Sequence, residues 1–280
     1  MVRFAPVTVI LLLGLPGAAQ QQPSKSEQFF GKEEVARQVG LHEKGCKKGD
    51  AGECFNLALA HEQGLAGPKD EARAATFYKK ACDKGHLDAC NNLGVAYVEG
   101  RGVKKEPKQA LPLFEKTCKA EDAKGCFNVG LAHVAGHGVP PDAARAATFF
   151  EKSCGKGHAE ACFRLGLASA QGNGVKKDEA RAATLFSQAC EAGSGAGCGV
   201  LGGAYMAGVG VQRDLSRGVS LFERACDAGV PGGCYNLGMA HQRGHGVAKN
   251  PERARGFIQK ACDLGLPPAC EALRTASKTP

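Results

Sequence analysis

The stretch Cys82-Asp-Lys-Gly-His-Leu-Asp-Ala-Cys90 is one of seven C-x7-C segments, and each follows the last after 36 residues without an insertion. A fixed period of this size is typical of stacked-repeat proteins, in which each unit buries its apolar face against its neighbours. The chain is therefore predicted to be a solenoid. The segments use all 14 cysteines, namely Cys46 and Cys54, Cys82 and Cys90, Cys118 and Cys126, Cys154 and Cys162, Cys190 and Cys198, Cys226 and Cys234, and Cys262 and Cys270.

The two ends of this series favour disulfide pairing within each C-x7-C segment. If cysteines paired within a repeat instead, as Cys54 with Cys82, then Cys46 and Cys270 would have no partner. Sequence alone does not prove a connectivity. Each local bridge would close a loop of about nine residues and stabilise the fold by about 2.5 kcal/mol. Zinc sites usually place their paired cysteines closer together, so we expect no metal and no cofactor.

The first residues of the chain have the pattern of a secretory signal peptide. Arg3 is followed by an apolar run from Val7 to Leu15 and by the small residues before Gln20, which predicts cleavage after Ala19. The apolar run is too short to span a membrane. Export also explains the cysteines, because disulfides persist in oxidising compartments. We therefore expect a periplasmic or secreted protein without a membrane span after cleavage.

The charge of the chain narrows the class of partner. The formal net charge is +8, and loss of Arg3 with the signal peptide leaves 35 basic against 28 acidic residues, or +7. A basic surface attracts nucleic acid or anionic polymers. Export argues against nucleic acid, so the expected partner is a protein, a peptide or an envelope polymer.

Each repeat contains two predicted helices. In the repeat that begins at Cys90, residues Leu93, Gly94 and Tyr97 fall on one face of the first helix. Glycine recurs at the Gly94 position, which indicates close approach of a neighbouring helix, since glycine inside a helix costs about 1 kcal/mol. The first helix ends at a Gly-x-Gly-Val turn, here Gly100 and Gly102, and the second helix ends near the next cysteine. Each bridge would therefore join the second helix of one repeat to the first helix of the next.

These patterns predict an all-α fold with one disulfide per repeat. Lys32 to Gly45 is predicted to form a lone helix with Val35, Val39 and Leu41 on its buried side. At the other end, Arg274 replaces the close-packing glycine and would cap the stack, so we expect a monomer. The predicted organisation is a signal peptide at 1–19, a flexible leader at 20–31, an N-terminal capping half-repeat at 32–53, six repeats at 54–269, and a capping helix and tail at 270–280.

The motif Leu93-Gly94-x-x-Tyr97-x-x-Gly100-x-Gly102-Val103, with its following alanine and aromatic residue, resembles the Sel1-like repeat. The added C-x7-C segments and signal sequence resemble the Helicobacter cysteine-rich protein family. This resemblance implies an α/α solenoid with a right-handed superhelix, related to tetratricopeptide repeats. It also implies partner binding on the solenoid surface, or alternatively penicillin binding and weak β-lactam hydrolysis. Tetratricopeptide repeats themselves usually have 34 residues and lack the Gly-x-Gly-Val turn.

Few residues are candidates for catalysis or metal binding. The chain has a single Ser-x-x-Lys, at Ser153 and Lys156, but no Ser-Asp-Asn or Lys-Thr-Gly element of a serine β-lactamase. Other repeats carry small residues at the Ser153 position, so a structural role is the simpler interpretation. His133 and His137, like His241 and His245, have the i, i+4 spacing of metal ligands on a helix, but the second histidine of each pair falls in the glycine turn.

A recurring asparagine is the candidate for partner binding. It occupies the third position of the first helix in four repeats, at Asn56, Asn92, Asn128 and Asn236. A row of amides can hydrogen-bond both the N–H and the C=O of an extended peptide. Local capping or packing within each repeat is the competing explanation. An aromatic residue often precedes this asparagine, and inter-repeat packing is its simpler role.

Overall fold

The structure is a computed structural model, and it describes residues 31–276. The predicted signal peptide, nearly all of the leader and the last four residues lie outside this range. Within it the chain forms fourteen helices and no strand, as α1 Lys32–Lys47, α2 Ala51–Gln63, α3 Glu71–Asp83, α4 Leu87–Glu99, α5 Pro107–Lys119, α6 Ala123–Ala135, α7 Ala143–Cys154, α8 Ala159–Gln171, α9 Glu179–Glu191, α10 Gly195–Ala207, α11 Leu215–Asp227, α12 Pro231–Arg243, α13 Pro251–Asp263 and α14 Pro267–Ala276.

Consecutive helices pack against each other along the whole described chain, as expected for a solenoid. We call the even-numbered helices, which begin just before a cysteine, the first helices, and the odd-numbered helices the second helices. The predicted all-α repeat fold with one disulfide per repeat is confirmed. The proposed boundaries of the repeats and caps remain a prediction.

Each second helix is tied to the next first helix by a disulfide. The seven bridges join the two cysteines of each C-x7-C segment, with Cα–Cα distances between 4.4 and 4.8 Å. They pair Cys46 with Cys54, Cys82 with Cys90, Cys118 with Cys126, Cys154 with Cys162, Cys190 with Cys198, Cys226 with Cys234, and Cys262 with Cys270. The alternative pairing within a repeat therefore does not occur among these cysteines.

The bridges belong to the cores of the inter-repeat joints. The bridged cysteines are mostly buried, and they pack together with leucine and alanine side chains. The four in the middle first helices are at most 3 % exposed, namely Cys126, Cys162, Cys198 and Cys234. Bridges at successive joints restrain how one repeat rotates against the next.

The close approach predicted from glycine occurs between the two helices of a repeat. A Cβ atom added to Gly166 would lie 2.6 Å from Cε1 of Phe186, so the ring fills the space that glycine leaves. The turn glycines have a different role. Gly172, for example, ends α8 in the left-handed conformation with φ of 77°, which costs an L side chain about 1–2 kcal/mol.

The second helices begin at side-chain caps. Asp70 accepts a hydrogen bond from the backbone N–H of Arg73 at 2.9 Å, and Asp142, Asp178, Asp214 and Asn250 do the same in their repeats. Glu106 makes no such bond, and Pro107 follows it at the first helical position instead. Side-chain caps therefore define the start of most second helices.

Helix α1 differs from the other second helices because no first helix precedes it among the described residues. Val35 and Val39 are half-buried, but Leu41 is 48 % exposed. The prediction that Leu41 lies on the buried side was wrong. In the full repeats the equivalent position, such as Phe77, packs on a first helix of the same repeat, and α1 lacks that partner.

Candidate binding face

The first helices of neighbouring repeats contact one another, as α4 does with α6 and α10 with α12. Their outward residues therefore form a surface that continues from repeat to repeat. We call this surface the first-helix face. It consists of the residues two and five positions after each first-helix cysteine.

The asparagine row lies on the first-helix face. Asn56 and Asn236 are exposed, whereas Asn92 and Asn128 are half-buried. The Asn92 amide hydrogen-bonds the hydroxyl of Tyr78. Within residues 31–276 the other three asparagine side chains make no hydrogen bond, so their amides are available to a ligand.

Other residues cap the helices that carry these asparagines. Asp50 caps α2, His86 caps α4 and Asp122 caps α6, each by accepting a backbone N–H. For α12 the cap position is Val230, which makes no side-chain hydrogen bond. Capping is therefore not the role of the asparagines. Packing between repeats accounts for Asn92, which bonds Tyr78, and partner binding remains the prediction for the row.

The asparagine row is interrupted in two repeats. Arg164 occupies the position in α8, where it pairs with Glu160 at 2.9 Å and lies over the ring of Phe127 at 5.9 Å. Val200 occupies the position in α10. The amides are therefore continuous only from α2 to α6.

An apolar row runs beside the asparagines, and sequence reasoning did not identify it. Its members lie three positions after the asparagine position, on the same helical face, and are half-buried. The row comprises Leu59, Val95, Leu131, Leu167 and Met239, with Gly203 at the remaining position. The 36-residue period together with the i+3 spacing would have revealed it. The face thus combines amides with partly exposed aliphatic side chains.

The aromatic residues before the asparagines belong to the joints. Phe55 stacks on His86 at 4.3 Å between ring centroids, and Phe127 stacks on His158 at 4.5 Å. At the joint between these two, the aromatic residue is replaced by Asn91, which bonds Thr117 at 2.8 Å and Asp122 at 2.8 Å. Each of these joints is filled either by stacked rings or by a satisfied polar cluster.

A groove of about 430 Å³ lies at the N-terminal end of the first-helix face. Helix α1 forms one wall with Val35 and Val39, and α2 forms the other with Asn56 and Leu59. Its volume is in the range of sites that bind small ligands or peptide side chains. The groove lies where the first helix of a preceding repeat would pack.

A polar cluster lies between the first two full repeats. The carboxylate of Glu62 accepts the Tyr78 hydroxyl at 2.5 Å and pairs with Arg101 at 2.8 Å. Burial raises the pKa of Tyr78, and the bond to Glu62 raises it further, so this hydroxyl stays protonated as a donor. The later repeats have phenylalanine or isoleucine at the Tyr78 position. The cluster distinguishes this end of the face.

Ser153 and Lys156 are not arranged as a nucleophile and its base. Ser153 is fully buried, and its hydroxyl donates to the carbonyl of Ala123 at 2.7 Å. Lys156 pairs with Glu121 at 3.1 Å. A substrate cannot reach a hydroxyl in this position without local unfolding, so the geometry supports a structural role for Ser153.

Two of the four histidines considered as metal ligands are packed as aromatic residues, whereas His137 and His245 lie in the turns after their helices. His133 and His241 are buried and stack on Phe149 and Phe257, respectively, at 5.7 and 5.6 Å. Residues 31–276 contain no group of three or more side chains that could hold a metal ion. Over the same residues, no helix has the length and hydropathy needed to cross a membrane.

A family model matches the repeats that these contacts define. The model describes the Sel1 repeat, and it matches residues 54–86, 87–122, 123–158, 159–194, 198–230 and 231–266. This chain belongs to the Sel1 repeat family. The resemblance seen in the sequence is thereby confirmed, and the repeat scaffold is of a type that typically mediates protein interactions.

Solved structures similar to this Sel1 repeat chain come from several bacteria. A protective antigen of uropathogenic Escherichia coli, c5321, is 25 % identical with a TM-score of 0.76 over 82 % of this chain, which spans only half of that protein. A Sel1 repeat protein of Oxalobacter formigenes is 24 % identical with a TM-score of 0.67, covering 80 % of this chain and 96 % of the other. Helicobacter pylori cysteine-rich protein B is 32 % identical over 47 % of this chain and 95 % of its own, with a TM-score of 0.40. No curated protein matches the chain.

Proposed function

We propose that this Sel1 repeat chain is an exported scaffold that binds an extended polypeptide along its first-helix face. The observation that carries the proposal is the row of amides at one register position, with free hydrogen-bonding groups at Asn56 and Asn128. A disulfide at each joint supports it, because a preorganised surface loses less entropy on binding.

The spacing of the row suits an extended chain. Helices that pack against one another lie about 8–10 Å apart, and a polypeptide in the extended polyproline II conformation advances about 3.1 Å per residue with three residues per turn. Asn56, Asn92 and Asn128 lie in consecutive repeats. Each amide would therefore meet every third residue of the peptide, donating to its C=O and accepting from its N–H.

The apolar row would supply the other part of the interaction. Leu59, Val95 and Leu131 flank the same three amides and remain half-exposed. Side chains of a bound peptide could bury part of this surface, which contributes about 25 cal/mol per Å² of apolar area. The groove beside Leu59 would take a larger apolar side chain of the peptide.

Export is the second part of the proposal. Seven disulfides suggest an oxidising environment. Cell fractionation with intact-mass measurement tests it. We expect the chain outside the cytoplasm, beginning at Gln20 and without free thiols. A full-length reduced chain in the cytoplasm would refute export.

Peptide selection tests the binding site. The oxidised protein is used to select from a displayed library of random linear peptides, and a photoreactive amino acid is then placed at Asn128 or at Thr148. Thr148 is exposed on a second helix, so it is the matched control. We expect selected peptides to crosslink to position 128 and not to position 148. Equal crosslinking at both positions would refute the proposed face.

A further inference from the structure

Two rows of small residues face each other within the repeats. The first row lies four positions after each first-helix cysteine, and its residues are Ala58, Gly94, Gly130, Gly166, Gly202, Gly238 and Arg274. The second row lies eight positions before each second-helix cysteine, and its residues are Gln38, Ala74, Ala110, Ala146, Ala182, Gly218 and Ala254. Each row therefore has one large member.

The rows touch inside the full repeats, where space is limited. A Cβ added to Gly202 would lie 3.0 Å from the carbonyl oxygen of Gly218, and one added to Gly238 would lie 3.0 Å from that of Ala254. These distances are tight for a single carbon atom. A long side chain in either row would keep the two helices apart.

The two large residues lie on the first and the last helix that the structure describes. Gln38 is exposed on α1, which has no preceding first helix within the described residues, and Arg274 is exposed on α14, which has no following second helix there. Helix α14 of one copy and α1 of another are thus complementary halves of a repeat. The groove beside α1 is the seat that such a helix would occupy.

We propose that Gln38 and Arg274 block this end-to-end assembly, in which α14 of one copy would dock on α1 of a second copy. The contact is heterologous, because each copy would offer a different surface at each end, so an unblocked chain would grow into a filament. Without these two side chains, the partner that the α1 groove fits would therefore be a second copy of this chain. The exposed Leu41 lies on the same helix and would become covered on assembly.

Alanine substitutions open each end separately. Alanine already serves in both rows, at Ala58 and Ala74, and it is a strong helix former, so Gln38→Ala and Arg274→Ala should fold normally. Each single variant keeps one blocked end and should remain monomeric. A mixture of the two should form a 1:1 dimer with twice the monomer mass, since only one pair of ends is open.

Sedimentation velocity of the oxidised proteins distinguishes these species. We expect the double variant to form longer assemblies whose mean mass rises with concentration, while the wild type stays monomeric. Gln171→Ala with Arg243→Ala is the matched control, since both residues are exposed at the ends of first helices. A double variant that remains monomeric, or a wild type that associates as strongly as the double variant, would overturn the proposal.

Discussion

Two adjacent glycines in α10 give a direct test of the close packing within a repeat. A Cβ at Gly202 would lie 2.9 Å from Cδ1 of Phe222, whereas a Cβ at Gly203 would meet nothing within 4 Å. Alanine in place of glycine inside a helix is worth about 0.5–1 kcal/mol. Forcing an extra carbon into a packed site costs about 1–3 kcal/mol.

The two variants share a helix and a chemical change, so propensity and unfolded-state effects cancel in their difference. Gly203→Ala should raise the free energy of unfolding by about 0.5–1 kcal/mol. The free energy of unfolding of Gly202→Ala should be about 1–3 kcal/mol lower than that of Gly203→Ala. For a protein of this size each kcal/mol shifts the midpoint by about 2–4 °C. Thermal unfolding followed by far-UV circular dichroism measures the difference. Equal stabilisation by both variants would refute the close approach of α10 and α11.

Four further predictions concern single residues or a single disulfide. Glu121 has φ of 62° where other joints have glycine, so Glu121→Gly should stabilise the protein by about 0.5–1 kcal/mol in urea titration, and a loss would contradict this. Burial lowers the pKa of His158 in the folded protein. The neutral imidazole therefore contributes stability above about pH 6.5, and this stability is lost as the pH falls through the folded-state pKa. His158→Asn keeps a capping side chain that does not titrate, so its melting temperature should fall less than that of the wild type between pH 7.5 and pH 5. Replacing both Cys82 and Cys90 by alanine should lower the free energy of unfolding by about 2.5 kcal/mol, and an unchanged urea midpoint would show that this disulfide does not stabilise the fold. Ser153→Ala should leave any turnover of a chromogenic β-lactam unchanged, and turnover lost in this variant would make Ser153 a nucleophile.

The 36-residue period was sufficient to predict the helices and the repeat fold. Positions that recur in every full repeat are determined by local backbone geometry, as is the glycine that ends its first helix. The burial of Leu41 was predicted wrongly because α1 has the sequence pattern of a second helix, while the first helix that would cover Leu41 is absent from the described residues. Burial depends on the neighbour and not on the residue alone.

The contents of individual joints could not be predicted from the pattern. Asn91, Thr117 and Asp122 form one cluster, but 26 and 31 residues separate its members along the chain. Only packing of the helices shows that an aromatic pair has been exchanged for a polar group. The Glu62 cluster was missed for the same reason, since its partners come from two repeats. The asparagine row was visible because it recurs, and the structure adds that its amides do not cap their helices.

The most direct test of the proposed function is the affinity of a selected peptide for the oxidised protein with and without the amides. Each amide contributes about 1 kcal/mol through its hydrogen bonds, so Asn56→Ala with Asn128→Ala should weaken binding by about 2 kcal/mol, or about 30-fold. Thr148→Ala with Thr184→Ala, on the exposed side of the second helices, should leave the affinity unchanged. Isothermal titration calorimetry of the three proteins supplies the comparison. An affinity that survives loss of both asparagines would contradict the account.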